Sequence, residues 1–156
     1  MDREALDAGI WQHRVSMARL AASILNSPQD VEDAVSEAVL HAYAAAHTLR
    51  DEQRLRPWLL RITARCALDI LRKAKHELPC AEVERPEPPV AARPGSLYEV
   101  LLRLPPATRR VLVLYYYEGF KAREIAGILS CPLSTVLMRL SRGRKQLKTM
   151  LKEEEE

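Results

Sequence analysis

This 156-residue sequence predicts an all-α fold of two small helical domains, on three observations. Glycine and aromatic residues are scarce while Ala, Leu, Arg and Glu abound, a composition that favours helix over sheet. Apolar residues recur at three- and four-residue spacing through most of the chain, the period of helices with one buried face. From His76 to Ser96 that period is broken by five prolines and one glycine, with a net charge of −2. Such a run reads as an extended, poorly ordered linker. It separates a domain at 1–75 from one at 97–152, and four acids at 153–156 form a tail.

The first helix is expected from about Ala5 to Leu25. Ile10, Val15, Met17, Ala18, Ala21, Ala22, Ile24 and Leu25 carry its apolar pattern, with Arg14 and Arg19 outside. Ser27-Pro28-Gln29-Asp30 reads as a helix start: serine as cap, proline at the first position, an acid in the first turn. The next helix repeats Val31, Ala34, Val35, Ala38, Val39, Ala42 and Tyr43 in a single apolar stripe. Its other side is acidic. Between Leu20 and Leu49 stand Asp30, Glu32, Asp33 and Glu37 and no Lys or Arg. Acids near a helix N-terminus suit a plain solvated face, and the same acids suit a docking surface.

A loop from Thr48 to Arg56 follows, and Pro57 starts a third helix with Leu59, Ile62, Cys66 and Ile70 on its inner stripe. From Arg50 to Lys75 there are eight basic residues against three acids, a net of +5. Trp58 among arginines at a loop–helix junction suits single-stranded nucleic acid, where stacking and phosphate contacts act together. A core position for Trp58 is the plainer alternative.

The second domain opens with Leu97, Val100, Leu101 and Leu104. A helix is expected from about Pro106 to Glu118, with Val111, Leu112, Leu114 and Tyr115 inward and Gly119 as its stop. Two helical patterns then flank a tight break at Ser130-Cys131-Pro132. Before it, Ile125, Ile128 and Leu129 repeat at helical spacing, with Ala122 and Ala126 small enough for a second helix to approach; proline suits the first turn of the next helix. After it, Leu133, Val136, Leu140 and Leu147 lie on one side, while Thr135, Arg139, Arg142 and Lys145 fall on the other. A helix with an apolar back and a basic front, held across a short turn, is the helix-turn-helix geometry that fits the DNA major groove. A plain helical hairpin with a solvated basic face has the same pattern. Charge favours DNA: from Leu97 to Lys152 there are eleven Lys or Arg against three acids, a net of +8, where the whole chain carries +3. Glu153 to Glu156 lie beyond the last expected helical residue, as a frayed and solubilising end.

Other classes find little support. Apolar runs are too short to cross a membrane and the N-terminus lacks a signal-peptide pattern, so a cytoplasmic protein with no membrane insertion is expected. Cys66, Cys80 and Cys131 are isolated, and His13, His41, His47 and His76 are scattered, so neither a disulfide framework nor a metal site is indicated. No phosphate-binding glycine loop, catalytic carboxylate pair or nucleophile–base arrangement is visible. A non-enzymatic chain without cofactors is expected.

Three stretches together resemble the extracytoplasmic-function (ECF) sigma factors of bacterial RNA polymerase. DVEDAVSEAVLHAY (Asp30 to Tyr43) resembles the family's helix that docks on the polymerase clamp. RPWLLRITARCALDILRK (Arg56 to Lys73) resembles the segment that melts and reads the −10 element. LPPATRRVLVLYYYEGFKAREIAGILSCPLSTVLMRLSRGRKQL (Leu104 to Leu147) resembles the region that reads the −35 element. Their order, the proline-rich linker between them and the short length all match.

The resemblance implies two partners, bacterial core RNA polymerase and promoter DNA, with an anti-sigma factor as a possible third. It puts the polymerase contact on Asp30, Asp33, Glu37 and Leu40, and an unpaired −10 base in the Thr48–Arg56 loop. It puts −10 DNA on Arg54, Arg56, Trp58, Arg61, Arg65 and Arg72. The −35 element falls to Ser134 and Thr135 on phosphate, Met138 facing DNA, and Arg139, Arg142 and Lys145 on bases or backbone. Family members often carry asparagine where Cys66 stands and a Lys-Ser pair where Leu137-Met138 stand. Leu137 is expected to lean toward the core beside Leu140, and Met138 to touch only apolar base edges such as a thymine methyl. Ser130 replaces the common turn glycine, and Gly143 replaces a helix former at ~1 kcal/mol in propensity. Two rival readings remain: a helix-turn-helix regulator whose N-terminal domain dimerises, and a degenerate paralogue that binds polymerase or an anti-sigma protein without reading DNA.

Overall fold

The computed structural model describes residues 1–77 and 95–155; most of the expected linker and Glu156 lie outside the described residues. Among those residues there is no strand. The chain forms two compact units, each with its own core.

The first unit is a three-helix assembly of α1 (Arg3–Ile24), α2 (Pro28–Ala45) and α3 (Leu55–Glu77), each packed on the other two. Asp2 caps α1 by accepting from the Glu4 N–H at 2.7 Å. Ser27 caps α2 as expected, its Oγ accepting from the Asp30 N–H at 3.0 Å, with Pro28 first in the helix. Met17, Leu20 and Ile24 of α1 and Leu59 and Leu60 of α3 fill the core against Ala34, Ala38 and Ala42 of α2. The small alanines let α1 and α3 come close, so the buried stripe of α2 is narrower than expected. Val35 and Val39 are half-buried and Tyr43 is exposed, its hydroxyl donating to the Asp7 carboxylate. Val15 is also exposed, because two residues of helix turn it about 200° away from buried Met17.

The Thr48–Arg56 stretch is more ordered than a loop. Two short 3₁₀ turns, Ala46–Thr48 and Glu52–Arg54, wind it, and Asp51 caps the second by accepting from the Gln53 N–H at 3.0 Å. Helix α3 then begins at Leu55 rather than at Pro57. Leu55 is buried against α1 at Gly9, where a Cβ would collide with the leucine side chain. Burying Leu55 draws the helix start two residues earlier. Pro57 sits third in the helix, where an N–H would have had no intrahelical partner.

The second unit comprises α4 (Leu97–Leu101), α5 (Pro106–Leu112), α6 (Ala122–Leu129) and α7 (Leu133–Glu155). Ser96 caps α4 by accepting from the Glu99 N–H at 3.2 Å. Helix α5 runs on into a wider π turn, Val113–Tyr117, and stops at Gly119, whose φ of 73° is left-handed. Four consecutive residues, Val111 to Leu114, are buried, since the α5–π segment is packed by α4, α6 and α7 on different sides. Tyr115, expected inside, is only half-buried.

The break between α6 and α7 falls at the expected residues. Ser130 takes the left-handed conformation (φ 53°) that glycine would adopt more cheaply, and the Cys131 N–H donates to Ala126 O at 3.1 Å. Pro132 stands one position before α7, not in its first turn, and its carbonyl accepts from the Thr135 and Val136 N–H groups at 3.0 and 3.2 Å. Helix α7 continues through Glu155, so Glu153 to Glu155 are not a frayed end; glutamate is a good helix former.

Gly143 is not merely a weak point in α7. It is buried where α7 crosses α5, and a Cβ there would sit 2.6 Å from Leu112 Cδ1 and 2.8 Å from Thr108 Cγ2. The missing side chain is what lets the two helices touch. Gly143→Val is expected to cost about 2 kcal/mol of overpacking, with Leu112 fully enclosed and unable to swing aside. Thermal unfolding of the full chain reads this as a Tm lowered by several degrees; an unchanged Tm would mean the crossing is soft.

Candidate nucleic-acid interface

Asp33, Glu37 and Leu40 lie along one exposed edge of α2, spaced by four and three residues. Leu40 is 70% exposed and packs in no core. Asp33 accepts from Gln29 Nε2 at 3.0 Å. Asp30, one turn earlier, is half-buried and adds less to this edge.

Glu37 also lines a groove of about 670 Å³ between α2 and α3. Trp58, Arg61 and Arg65 line it from α3, with half-buried Ile62 and Ile70 as apolar wall. Trp58 is itself half-buried, so one ring is shared between packing and the groove. The acidic and basic surfaces, separate in the sequence, thus meet at one groove. Exposed arginines beside a half-open indole supply phosphate-binding charge and a stacking face together. Burial, with Glu37 and Asp69 nearby, pushes the Cys66 thiol up to about 11. Cys66 is therefore a neutral wall residue.

Arg54, Arg56 and Arg72 are placed less favourably. Arg54 lies 3.9 Å from Asp51 and Arg72 lies 3.2 Å from Asp69, both as exposed pairs of little net strength. Arg56 is half-buried.

On α7 the buried back consists of Val136, Leu140, Gly143 and Leu147. Ser134, Met138, Arg142 and Lys145 are exposed on the other side, with Thr135 and Arg139 half-buried at its edge. Lys145 is eleven residues beyond Ser134, about 16 Å along the helix, and so reaches a different stretch of any bound duplex. Leu137 does not lean inward: it is 51% exposed, because its angular position falls outside the stripe shared by Val136 and Leu140.

Two further cations escaped the sequence reading. Arg144 lies over the Tyr115 ring, 4.9 Å from its centre, and hydrogen bonding to Tyr116 raises its pKa. The three successive tyrosines of the π turn were a usable signal for such a seat. Arg110 on α5 is half-buried, and its Nη1 is sealed from solvent with no hydrogen-bond partner. Burial and then neighbouring Arg139 lower its pKa, opposed by Cys131. A buried donor without an acceptor is a stability cost, so Arg110→Met is expected to stabilise the second unit by about 1 kcal/mol. Chemical denaturation of the full chain would show a raised midpoint; a lowered midpoint would mean the guanidinium is satisfied after all.

Comparison with known proteins finds one family across both units. The family profile for sigma-70 region 2 matches residues 10–77, and that for sigma-70, region 4 matches residues 95–147. The chain is 31% identical over 156 residues to the ECF RNA polymerase sigma factor SigM of Mycobacterium tuberculosis, covering 96% of this chain and 79% of the relative. It is 29% identical over 151 residues to the RNA polymerase sigma factor SigV of Bacillus subtilis, covering 94% and 90%. Its fold is similar to that of the sigma factor RpoE solved in complex with the anti-sigma factor NepR from Bartonella quintana, with a TM-score of 0.79, 23% identity, and coverage of 94% and 96%. CnrH, solved with the cytosolic domain of CnrY, gives 0.67 at 26% identity, covering 97% and 90%. The chain belongs to the extracytoplasmic-function family of RNA polymerase sigma factors, the subunits that direct the polymerase to promoters.

Proposed function

We propose that this sigma factor divides its work among three surfaces. The exposed edge of α2, with Asp33, Glu37 and Leu40 and a smaller share from Asp30, docks on core RNA polymerase. The turns before α3 and its first half, with Trp58, Arg61 and Arg65 foremost, unpair and hold the −10 strand, while Arg54, Arg56 and Arg72 add charge around them. Helix α7 reads the −35 element, with Ser134 and Thr135 on phosphate at the electropositive helix end and Met138, Arg139, Arg142 and Lys145 further along. Residues 1–75 and 97–152 carry these tasks as separate domains. The chain has no catalysis of its own and works in the cytoplasm. An anti-sigma protein is a further expected partner, since the RpoE relative was solved with one bound and CnrH with the cytosolic domain of CnrY.

The observation that carries the reading is the two-sidedness of α7, with Val136, Leu140 and Leu147 buried while Ser134, Met138 and Arg142 stay open. A second reading, the degenerate paralogue that binds polymerase without reading promoters, draws on the exposed apolar pair Leu137-Met138. Reconstitution with core polymerase on a promoter library separates them. Specific initiation is expected. Core binding without initiation supports the paralogue, and promoter binding without core supports a free-standing regulator.

A further inference from the structure

Between two buried residues, Val136 and Leu140, helix α7 exposes two apolar ones: Leu137 at 51% and Met138 at 44%. Each is only about half covered by its neighbours. Met138 is four residues from both Ser134 and Arg142 and shares their exposed edge. Leu137 lines a shallow cleft with Lys121, Ser141 and Arg144. The pair is therefore bordered by cations and hydroxyls, on a helix whose other exposed residues between Ser134 and Lys148 are polar or basic and suit a polyanion.

In the major groove the one apolar group on any base edge is the 5-methyl of thymine. Leucine offers no hydrogen bond and methionine only a weak acceptor, so neither can satisfy a guanine, cytosine or adenine edge. Those edges would lose water without replacement, which disfavours them. We infer that Leu137 and Met138 form an apolar tip that selects thymine, through its 5-methyl group, at one or two adjacent steps of the −35 element. This rests on the −35 reading proposed above.

The test uses the full chain assembled with core polymerase. Duplexes are selected from a library randomised across the −35 region, and each selected thymine is then replaced by deoxyuridine, which removes only the methyl. Affinity is expected to fall about fourfold at one or two adjacent steps, the factor set by burial of one methyl group. Met138→Ala or Leu137→Ala should abolish the difference at its own step and leave the salt dependence of binding unchanged, since no cation is lost. A specific element indifferent to deoxyuridine at every position would overturn the inference and leave the −35 reading standing. Binding with no sequence preference would overturn both. Loss of core affinity in Leu137→Ala would also overturn it, assigning the tip to protein.

Discussion

Replacing Asp33 and Glu37 together by lysine is expected to weaken binding to core RNA polymerase by roughly 100-fold. Both side chains are exposed on α2. Losing a paired interfacial charge costs about 2–5 kcal/mol, and reversal adds repulsion; about 2.8 kcal/mol, within that range, corresponds to the stated factor. The fold should not suffer, because the core beneath is Ala34, Ala38 and Ala42 and the lost hydrogen bond from Gln29 is on the surface. Titration of labelled chain with core reads the affinity, and an unchanged thermal midpoint controls for folding. A loss under threefold would move the docking surface elsewhere.

The second large effect is expected at the groove. Arg61→Ala combined with Arg65→Ala should lower open-complex formation on duplex promoters by about tenfold or more. Extruding a base costs a few kcal/mol of stacking and pairing, and two cations beside a half-open indole offset part of it. Permanganate reactivity of −10 thymines measures the melted fraction. A promoter supplied with the −10 region already unpaired should recover most of the loss, and −35 occupancy should stay within about twofold, because α7 is untouched. Equal loss of melting and −35 binding would contradict the division between the two units.

Much of this architecture was legible because it depends on local chemistry. Ser27-Pro28, Gly119 and the Ser130-Cys131-Pro132 break act within a few residues of themselves, and each marks a helix boundary in the structure. The buried back of α7 follows from its period. The features that escaped depend on partners distant in sequence. Gly143 reads as a propensity fault until Leu112 and Thr108 are found against it. Leu55 is an ordinary loop residue until Gly9 makes room for it. Hydrophobicity alone assigns Leu137 to the core, yet the neighbouring helices leave its angle open. The same limit applies at the groove, where charge counts along the chain separated acids from bases that α2 and α3 bring together.

The most direct measurement is photocrosslinking from single positions within one promoter complex. A photoreactive residue at position 40 should capture a polymerase subunit, one at position 61 the unpaired −10 strand, and one at position 142 the −35 duplex. Capture of DNA from position 40, or of protein alone from position 142, would contradict the account.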